Sequence, residues 1–196
     1  LVTFGRALSL PLTIILPCGE LVIEQWLRVL PAKRYVARAR LGENSLLAKL
    51  FVGPRAANTA AEEAEAIERL SATEVVTPKL LDSGSASPTA AWLFTEYLEG
   101  CETLTAKAQL DITAVSGAEG VLDDGTLPGG VEAAQALANL HNNHLIHRDI
   151  HPGNILFYQQ RCWIIDAADT LATTDALQKQ SNLGLFLAQL PPSYWP

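Results

Sequence analysis

Apolar and polar residues alternate along the first half of the chain, as expected for β-strands that bury one face. In residues 34–41 every second position is apolar, namely Tyr35, Ala37, Ala39 and Leu41. Further strands are predicted at Leu12–Leu16, Leu21–Leu27 and Leu46–Val52, with a turn at residues 17–20. A hairpin is predicted from Lys79–Leu81 and Ala91–Tyr97, with its turn at Asp82–Ser85. The first half is therefore predicted to be a sheet of antiparallel strands.

Helical spacing replaces this alternation in two segments. Thr59-Ala-Ala-Glu62 has the form of a capping box, which predicts a helix over Thr59–Leu70. A second helix is predicted at Val131–His141, after a surface loop at residues 113–130 that is rich in Gly, Asp and Ser. A short hairpin follows, formed by Leu156–Tyr158 and Cys162–Ile165.

Composition favours one small folded unit. With 196 residues, 48% of them hydrophobic, the chain can bury the core of one domain or of two small lobes. Cys18, Cys101 and Cys162 are widely spaced, which favours reduced thiols in a cytosolic setting. The apolar stretch near the start, Leu8–Leu16, contains Pro11 and is too short to span a bilayer. We therefore expect a cytoplasmic protein.

Candidate chemistry is concentrated in residues 147–154, His-Arg-Asp-Ile-His-Pro-Gly-Asn, and in Asp166, which ends an apolar run. Together they place two carboxylates and an amide at the spacing of a phosphoryl-transfer site. Asp149 can orient and deprotonate an attacking hydroxyl. Asn154 can bind a metal ion from the same loop, and Asp166 can hold Mg²⁺ between the phosphates of ATP.

These residues resemble the catalytic loop and metal-binding aspartate of the protein-kinase superfamily. The resemblance implies a lysine and a glutamate elsewhere in the chain. Leu46–Phe51 is an apolar run that carries one lysine, Lys49, and it is similar to the lysine strand of kinases. A lysine in such a run usually ends the strand or has a charged partner, because burying it unpaired is costly.

Helix geometry selects the partner of Lys49 from four glutamates. Glu63 shares an apolar stripe with Ile67 and Leu70, whereas Glu65 lies on a mostly polar face. We predict that Glu63 pairs with Lys49, with Glu62 as the alternative.

The glycine-rich phosphate loop of ordinary kinases is missing, and Val29–Lys33 stands in its place. Five of the fourteen basic residues surround this position: Arg28, Lys33, Arg34, Arg38 and Arg40. Cations can replace backbone amides in holding phosphate. We expect Lys33 or Arg34 to contact phosphate, while the other basic residues are equally compatible with an exposed strand edge.

The whole combination resembles the RIO-like and lipopolysaccharide-kinase branch of the superfamily. The segments that carry the resemblance are Leu27–Arg34, Ala48–Phe51, the Asp-x-His-x-x-Asn loop Asp149–Asn154, and Ile165–Asp166. Thr95–Gly100 looks like the hinge, which implies adenine contacts from the backbone of Glu96, Tyr97 and Leu98.

The resemblance implies an α+β, protein-kinase-like two-lobed fold. Residues 1–99 would form a β-sheet N-lobe with one helix, and residues 100–196 an abbreviated or truncated helical C-lobe. ATP and Mg²⁺ are the implied cofactors, and the acceptor is a hydroxyl of a lipopolysaccharide inner-core sugar or glycolipid. Peripheral association with the inner face of the bacterial inner membrane is implied, and no nucleic-acid partner. A RIO-like protein serine kinase or ATPase, and a non-catalytic ATP-binding pseudokinase, are the alternatives.

Other features near the motif leave several roles open. After Asp166 the sequence is Ala-Ala-Asp in place of Asp-Phe-Gly, and a helix N-cap is expected at Asp169 or Thr170. Arg148 is expected to neutralise Asp149 or Asp166, or to pack. Only thirty residues follow Asp166 and the chain has no methionine, which indicates a compact atypical kinase or a truncated chain.

The four histidines, His141, His144, His147 and His151, fall within eleven residues. A zinc site is the alternative that they raise, but no cysteine joins them. His147 is expected to brace the backbone near Asp166. His151 either contacts substrate phosphate or packs.

Overall fold

The computed structural model describes residues 9–106 and 129–190. These residues fall into two compact units. The first is drawn from Leu1–Glu68 and Pro78–Tyr97, and the second from Arg69–Thr77 and Leu98–Pro196. The last residues of the first helix and the segment that follows them therefore belong to the second unit.

A six-stranded antiparallel sheet dominates the first unit, in the spatial order β1-β2-β3-β4-β6-β5. Its strands are β1 (Leu12–Leu16), β2 (Gly19–Leu30), β3 (Arg34–Leu41), β4 (Asn44–Val52), β5 (Leu80–Ser87) and β6 (Ala90–Glu96). Helix α1 (Ala56–Ser71) connects β4 to β5.

One face of this sheet carries an apolar core. Tyr35, Ala37 and Ala39 of β3 are fully buried there, as the alternation in the sequence predicts. Leu50 of β4 belongs to the same core. Lys49 is paired in register with Val36, and successive residues of a strand point to opposite faces. Lys49 therefore leaves the sheet on the side opposite the core.

Two of the predicted boundaries in this unit are wrong. α1 begins at Ala56, and the Thr59 N–H already donates to the Arg55 carbonyl at 2.9 Å, so Thr59 is inside the first turn and does not cap the helix. The turn of the β5–β6 hairpin lies at Pro88–Thr89, while Asp82–Ser85 is part of β5.

A tryptophan explains why Asp82–Ser85 is strand. Asp82 Oδ2 accepts a hydrogen bond from Trp92 Nε1 at 2.8 Å. The indole lies against Gly84 so closely that a Cβ there would be 2.5 Å from Trp92 Cζ2. Asp82 and Gly84, although common in turns, thus lie in a strand here because they contact Trp92 on the neighbouring strand.

The second unit positions the candidate catalytic residues on short elements. These are β7 (Glu102–Thr103), α2 (Gly130–Asn142), β8 (Leu145–His147), β9 (Ile155–Tyr158), β10 (Arg161–Ile164), β11 (Thr170–Ala172) and α3 (Ala176–Leu187). β10, β9 and β7 form one sheet, and β8 pairs with β11. Asp149 comes just after β8, and Asp166 just after β10, so each follows the end of a strand.

The helix cap of the second unit lies further along the chain than predicted. α3 is capped by Asp175, whose Oδ1 accepts from the Leu177 N–H at 2.8 Å. The predicted helix cap at Asp169 or Thr170 is therefore wrong: Asp169 ends a 3₁₀ turn and Thr170 begins β11.

The predicted loop at 113–130 lies outside the described residues except for its last two. Within the described ranges, no helix is both long and apolar enough to span a bilayer.

Candidate active site

The buried pair of the first unit is Lys49 and Glu63. Lys49 Nζ donates to Glu63 Oε1, and the two residues are 7% and 1% exposed. Lys49 lies between buried Ala48 and Leu50 on β4, and Glu63 lies on the buried face of α1. The predicted pairing is confirmed, and it gives the lysine the counter-charge that its burial requires.

A second cation shares this carboxylate. Arg34, the first residue of β3, places its guanidinium 4.0 Å from Glu63 Oε2. The Glu63 carboxylate is therefore approached by two cations, which lie on neighbouring strands of the sheet.

The turn that replaces the glycine-rich loop is tight. The Lys33 N–H donates to the Leu30 carbonyl at 3.0 Å, and Ala32 adopts a left-handed conformation with φ 60°. The Val52 N–H donates to the Lys33 carbonyl at 2.9 Å, which ties the turn to the end of β4. Contact of Lys33 or Arg34 with phosphate stays a prediction.

The remaining β3 arginines have other partners. Arg38 and Arg40 lie 3.5 and 3.4 Å from the carboxylate of Glu24. The Arg38 guanidinium also lies 5.2 Å from the ring centre of Tyr97. Much of the basic cluster is thus occupied by surface ion pairs and one cation–π contact.

The residues of the expected hinge cover the point in the sequence where the first unit ends and the second continues. Glu96 ends β6 and exchanges hydrogen bonds with the Lys79 backbone, through its N–H at 3.0 Å and through Oε1 at 2.9 Å. Tyr97 closes the first unit, and the buried Leu98 opens a segment of the second. Their contact with adenine stays a prediction.

The structure brings Asp149 and Asn154 together in one loop of the second unit. Asn154 Nδ2 donates to the Asp149 carbonyl at 3.0 Å and lies 3.5 Å from Asp149 Oδ2. Because the amide nitrogen is held in this way, the amide oxygen is the Asn154 atom that can bind a cation. The Ile165 N–H donates to the Asn154 carbonyl at 3.0 Å, which brings the strand end before Asp166 alongside the loop.

Asp166 has an unusual backbone that its surroundings hold in place. Its φ of 59° is in the left-handed region, which is uncommon for residues other than glycine. The buried imidazole of His147 lies with Nε2 3.1 Å from both the Ile165 and the Asp166 carbonyl oxygens. His147 therefore braces the backbone next to Asp166, as predicted.

Two side-chain amides hold the loop, and the sequence did not predict either contact. Asn182 Nδ2 on α3 donates to the His147 carbonyl at 2.7 Å. Gln189 Nε2 donates to the Ile150 carbonyl at 3.1 Å. These bonds fix the backbone on both sides of Asp149. The sequence gives no signal that an amide in this region reaches residues 35 or more positions earlier.

Arg148 does not pair with either predicted aspartate. Its side chain lies 3.3 Å from Asp169 Oδ1, and both side chains are partly exposed. The Arg148 N–H also donates to the Asp169 carbonyl at 2.9 Å, so the backbone brings the two residues side by side. The expectation of a bond to Asp149 or Asp166 is therefore corrected.

The histidines engage separate partners instead of converging. His141 Nε2 lies 3.0 Å from Asn182 Oδ1, and His151 Nδ1 accepts from the Gly153 N–H at 3.0 Å. Across residues 9–106 and 129–190, no three His, Cys, Asp or Glu side chains are grouped to hold a metal ion. In the described part of the chain, His141 and His151 therefore bind different partners in different places.

The cysteines offer no activated nucleophile in the described part of the chain. Burial, and then the nearby Glu132 carboxylate, raise the pKa of the Cys162 thiol to about 12. Burial also raises the pKa of Cys18 and of Cys101. All three are thiols at neutral pH, and thiols are poor nucleophiles.

The donor atoms near Asp166 suit a hard cation. Asp166 offers a carboxylate and Asn154 an amide oxygen, which are the oxygen ligands that Mg²⁺ prefers. No sulfur ligand is close in sequence to either residue except Cys162, which lies within β10. The residue types therefore fit Mg²⁺ better than a thiolate-seeking metal.

The sheet with its buried Lys49–Glu63 pair, and the braced loop of the second unit, define a protein-kinase-like fold. Comparison with solved structures agrees. The BubR1 kinase domain matches with a TM-score of 0.60 and 12% identity, covering 87% of this chain and 53% of that domain. A structure of WaaP in complex with acyl carrier protein matches with a TM-score of 0.57 and 17% identity, covering 83% and 69%. The chain thus spans about half the length of the BubR1 kinase domain.

A match to a family sequence model shows which protein family the chain belongs to. The sequence model of the Lipopolysaccharide kinase (Kdo/WaaP) family matches residues 44–185, from the start of β4 into α3. The chain belongs to this family. The matched range includes Lys49, Glu63, Asp149, Asn154 and Asp166.

Proposed function

We propose that this protein transfers the γ-phosphoryl group of ATP to a hydroxyl group. Two hydrogen bonds carry the proposal. The Asn154 side-chain amide donates to the Asp149 carbonyl, and the N–H of Ile165, next to Asp166, donates to the Asn154 carbonyl. This places the three residue types of a phosphoryl-transfer motif on adjoining backbone segments. Family membership supports the same reaction.

Each residue has one role in the proposed reaction. Lys49, held by Glu63, binds the α- and β-phosphates, and Arg34 or Lys33 adds positive charge at the phosphates. Asp149 orients the acceptor hydroxyl and accepts its proton. Asn154 and Asp166 would hold Mg²⁺, which supplies charge neutralisation on the phosphates. Catalysis then consists mainly of positioning and electrostatic stabilisation.

The acceptor that we propose is a sugar hydroxyl of the lipopolysaccharide inner core, free or as part of a glycolipid. The family description supports this choice. Such an acceptor lies at a membrane, so we propose action in the cytoplasm at the inner face of the bacterial inner membrane. Acyl carrier protein, present in the WaaP structure, is a further candidate partner.

Replacement of Asp149 tests the reaction. Asp149→Asn keeps the size of the side chain and removes its capacity to accept a proton. We expect phosphate transfer from radiolabelled ATP to inner-core lipopolysaccharide to fall by about a hundredfold to ten-thousandfold. ATP binding, measured by thermal shift, should persist because Asp149 is not assigned to the nucleotide.

Asp169→Asn is the matched control. The Asp169 side chain is partly exposed and paired with Arg148, and surface ion pairs of this kind contribute little to stability. We expect this variant to keep most of its transfer activity. Equal turnover by wild type and Asp149→Asn would refute the proposed role of Asp149.

A further inference from the structure

His151 is held in one tautomer by its own loop. The Gly153 N–H donates to His151 Nδ1 at 3.0 Å. A backbone N–H can only donate, so Nδ1 must offer its lone pair. A neutral imidazole with an unprotonated Nδ1 carries its proton on Nε2.

Gly153 makes this arrangement possible. A Cβ at position 153 would lie 2.9 Å from His151 Cε1 and 3.0 Å from Nδ1, which are distances that real Cβ atoms avoid. The imidazole therefore occupies the space that a side chain at position 153 would need. His151 is also the N-cap of the 3₁₀ turn Pro152–Asn154, with an extended backbone.

The other edge of the ring faces the proposed proton acceptor. His151 Nε2 lies 3.8 Å from Asp149 Oδ2. Asn154 Nδ2 lies 3.5 Å from the same oxygen. Two N–H groups thus approach Oδ2, each slightly beyond or at the limit of a hydrogen bond, and a small side-chain rotation brings either into contact.

We propose that His151 is a positioning residue for Asp149, an inference that rests on the proposed function. Its Nε2–H holds Oδ2, which leaves Oδ1 to face the acceptor hydroxyl. In the transfer step the hydroxyl proton passes to Oδ1. The acceptor oxygen bonds to the γ-phosphorus as the bond from that phosphorus to the β,γ-bridging oxygen breaks, and ADP leaves.

Two substitutions separate the two ends of the imidazole. In His151→Asn, the side-chain oxygen can still accept from the Gly153 N–H as an N-cap does, but nothing reaches Asp149. In His151→Gln, the longer side chain carries an N–H near the position of Nε2 but no longer offers the short-range acceptor. The first variant preserves the cap of the loop, and the second preserves the contact with Asp149.

The readout is phosphate transfer from radiolabelled ATP to inner-core lipopolysaccharide. We expect His151→Asn to lower kcat by about tenfold to a hundredfold with little change in the KM for ATP, because misplacement by about 1 Å costs that much. His151→Gln should recover a substantial part of this loss. If His151 only caps the loop, the order reverses: the Asn variant stays active and the Gln variant is impaired, which overturns the proposal.

A measurement on the wild type does not depend on the activity of any variant. A long-range ¹H–¹⁵N correlation spectrum of the imidazoles should show His151 protonated at Nε2 and bare at Nδ1, with the signal assigned by its loss in His151→Asn. Protonation at Nδ1 would overturn the proposal whatever the activity. A wild-type protein that shows this tautomer but transfers no phosphate would refute the proposed function instead.

Discussion

At the scale of single residues, the centre of the first unit is a carboxylate between two cations. Helix periodicity was sufficient to select Glu63 from four glutamates, because only Glu63 shares the apolar stripe that faces the sheet. The burial of Lys49 could likewise be predicted from its apolar neighbours. The approach of Arg34 to Glu63 could not, because it depends on how α1 crosses the sheet and not on local spacing.

Removing the charge of Glu63 should lower the stability of the protein, because its partner Lys49 is buried. In Glu63→Gln, the buried Lys49 loses the carboxylate charge of Glu63, which it contacts. We expect the free energy of unfolding to fall by about 3–5 kcal/mol, and the KM for ATP to rise as Lys49 loses its fixed position. Urea denaturation and steady-state kinetics measure the two effects.

Glu65→Gln is the control on the same helix. Glu65 is exposed, and substitutions at such positions usually change stability by less than about 0.5 kcal/mol. A Glu63→Gln protein as stable as this control would show that the Lys49–Glu63 pair contributes nothing to the fold.

At the scale of elements, alternation located the strands but not all of their ends. β3 spans Arg34–Leu41 as predicted, because its buried and half-exposed faces differ clearly in sequence. The hairpin turn was misplaced because Asp82 and Gly84, which are common turn residues, instead accommodate Trp92. Local preference was overridden by a contact with the next strand.

The role of α3 was not predictable for a related reason. Asn182 of α3, and Gln189 just after its end, donate to backbone carbonyls of the loop that holds Asp149. A side-chain amide gives no sequence signal of which carbonyl it will bind. The contribution of α3 and the residues after it to the candidate site could therefore not be predicted from the sequence.

Loss of the Asn182 amide should impair the loop. Asn182→Leu has similar volume but removes one of two donors to the His147 carbonyl, which keeps the Ile150 N–H at 3.1 Å. Loss of a typical intramolecular hydrogen bond costs about 0.5–1.5 kcal/mol. We expect lower stability in thermal unfolding, together with a lower kcat at temperatures well below the melting transition.

Gln180→Leu, at an exposed position of α3, is the matched control and should preserve kcat. If Asn182→Leu lowers the melting temperature but leaves kcat at the wild-type value, α3 supports the fold without positioning Asp149.

At the scale of the whole molecule, the order of motifs along the chain predicted the fold correctly. Lysine strand, glutamate helix, catalytic loop and strand-ending aspartate follow one another as in a protein-kinase-like fold, and both the family match and the solved structures agree. Substrate choice is different, because the same fold and nucleotide site can serve many acceptors. The acceptor therefore rests on the family and not on the geometry.

The central claim is that Asp166 holds Mg²⁺ for ATP, and its test is a thermal-shift titration with ATP, with and without Mg²⁺. Asp166→Asn is the informative variant, since asparagine tolerates the left-handed backbone at this position while losing the charge. Ligand at about 100 times its Kd stabilises the folded state by about 2.7 kcal/mol, which is readily measured. We predict that wild type is stabilised in a Mg²⁺-dependent manner and that Asp166→Asn is not. Equal stabilisation of both proteins, or none of the wild type, would contradict the claim.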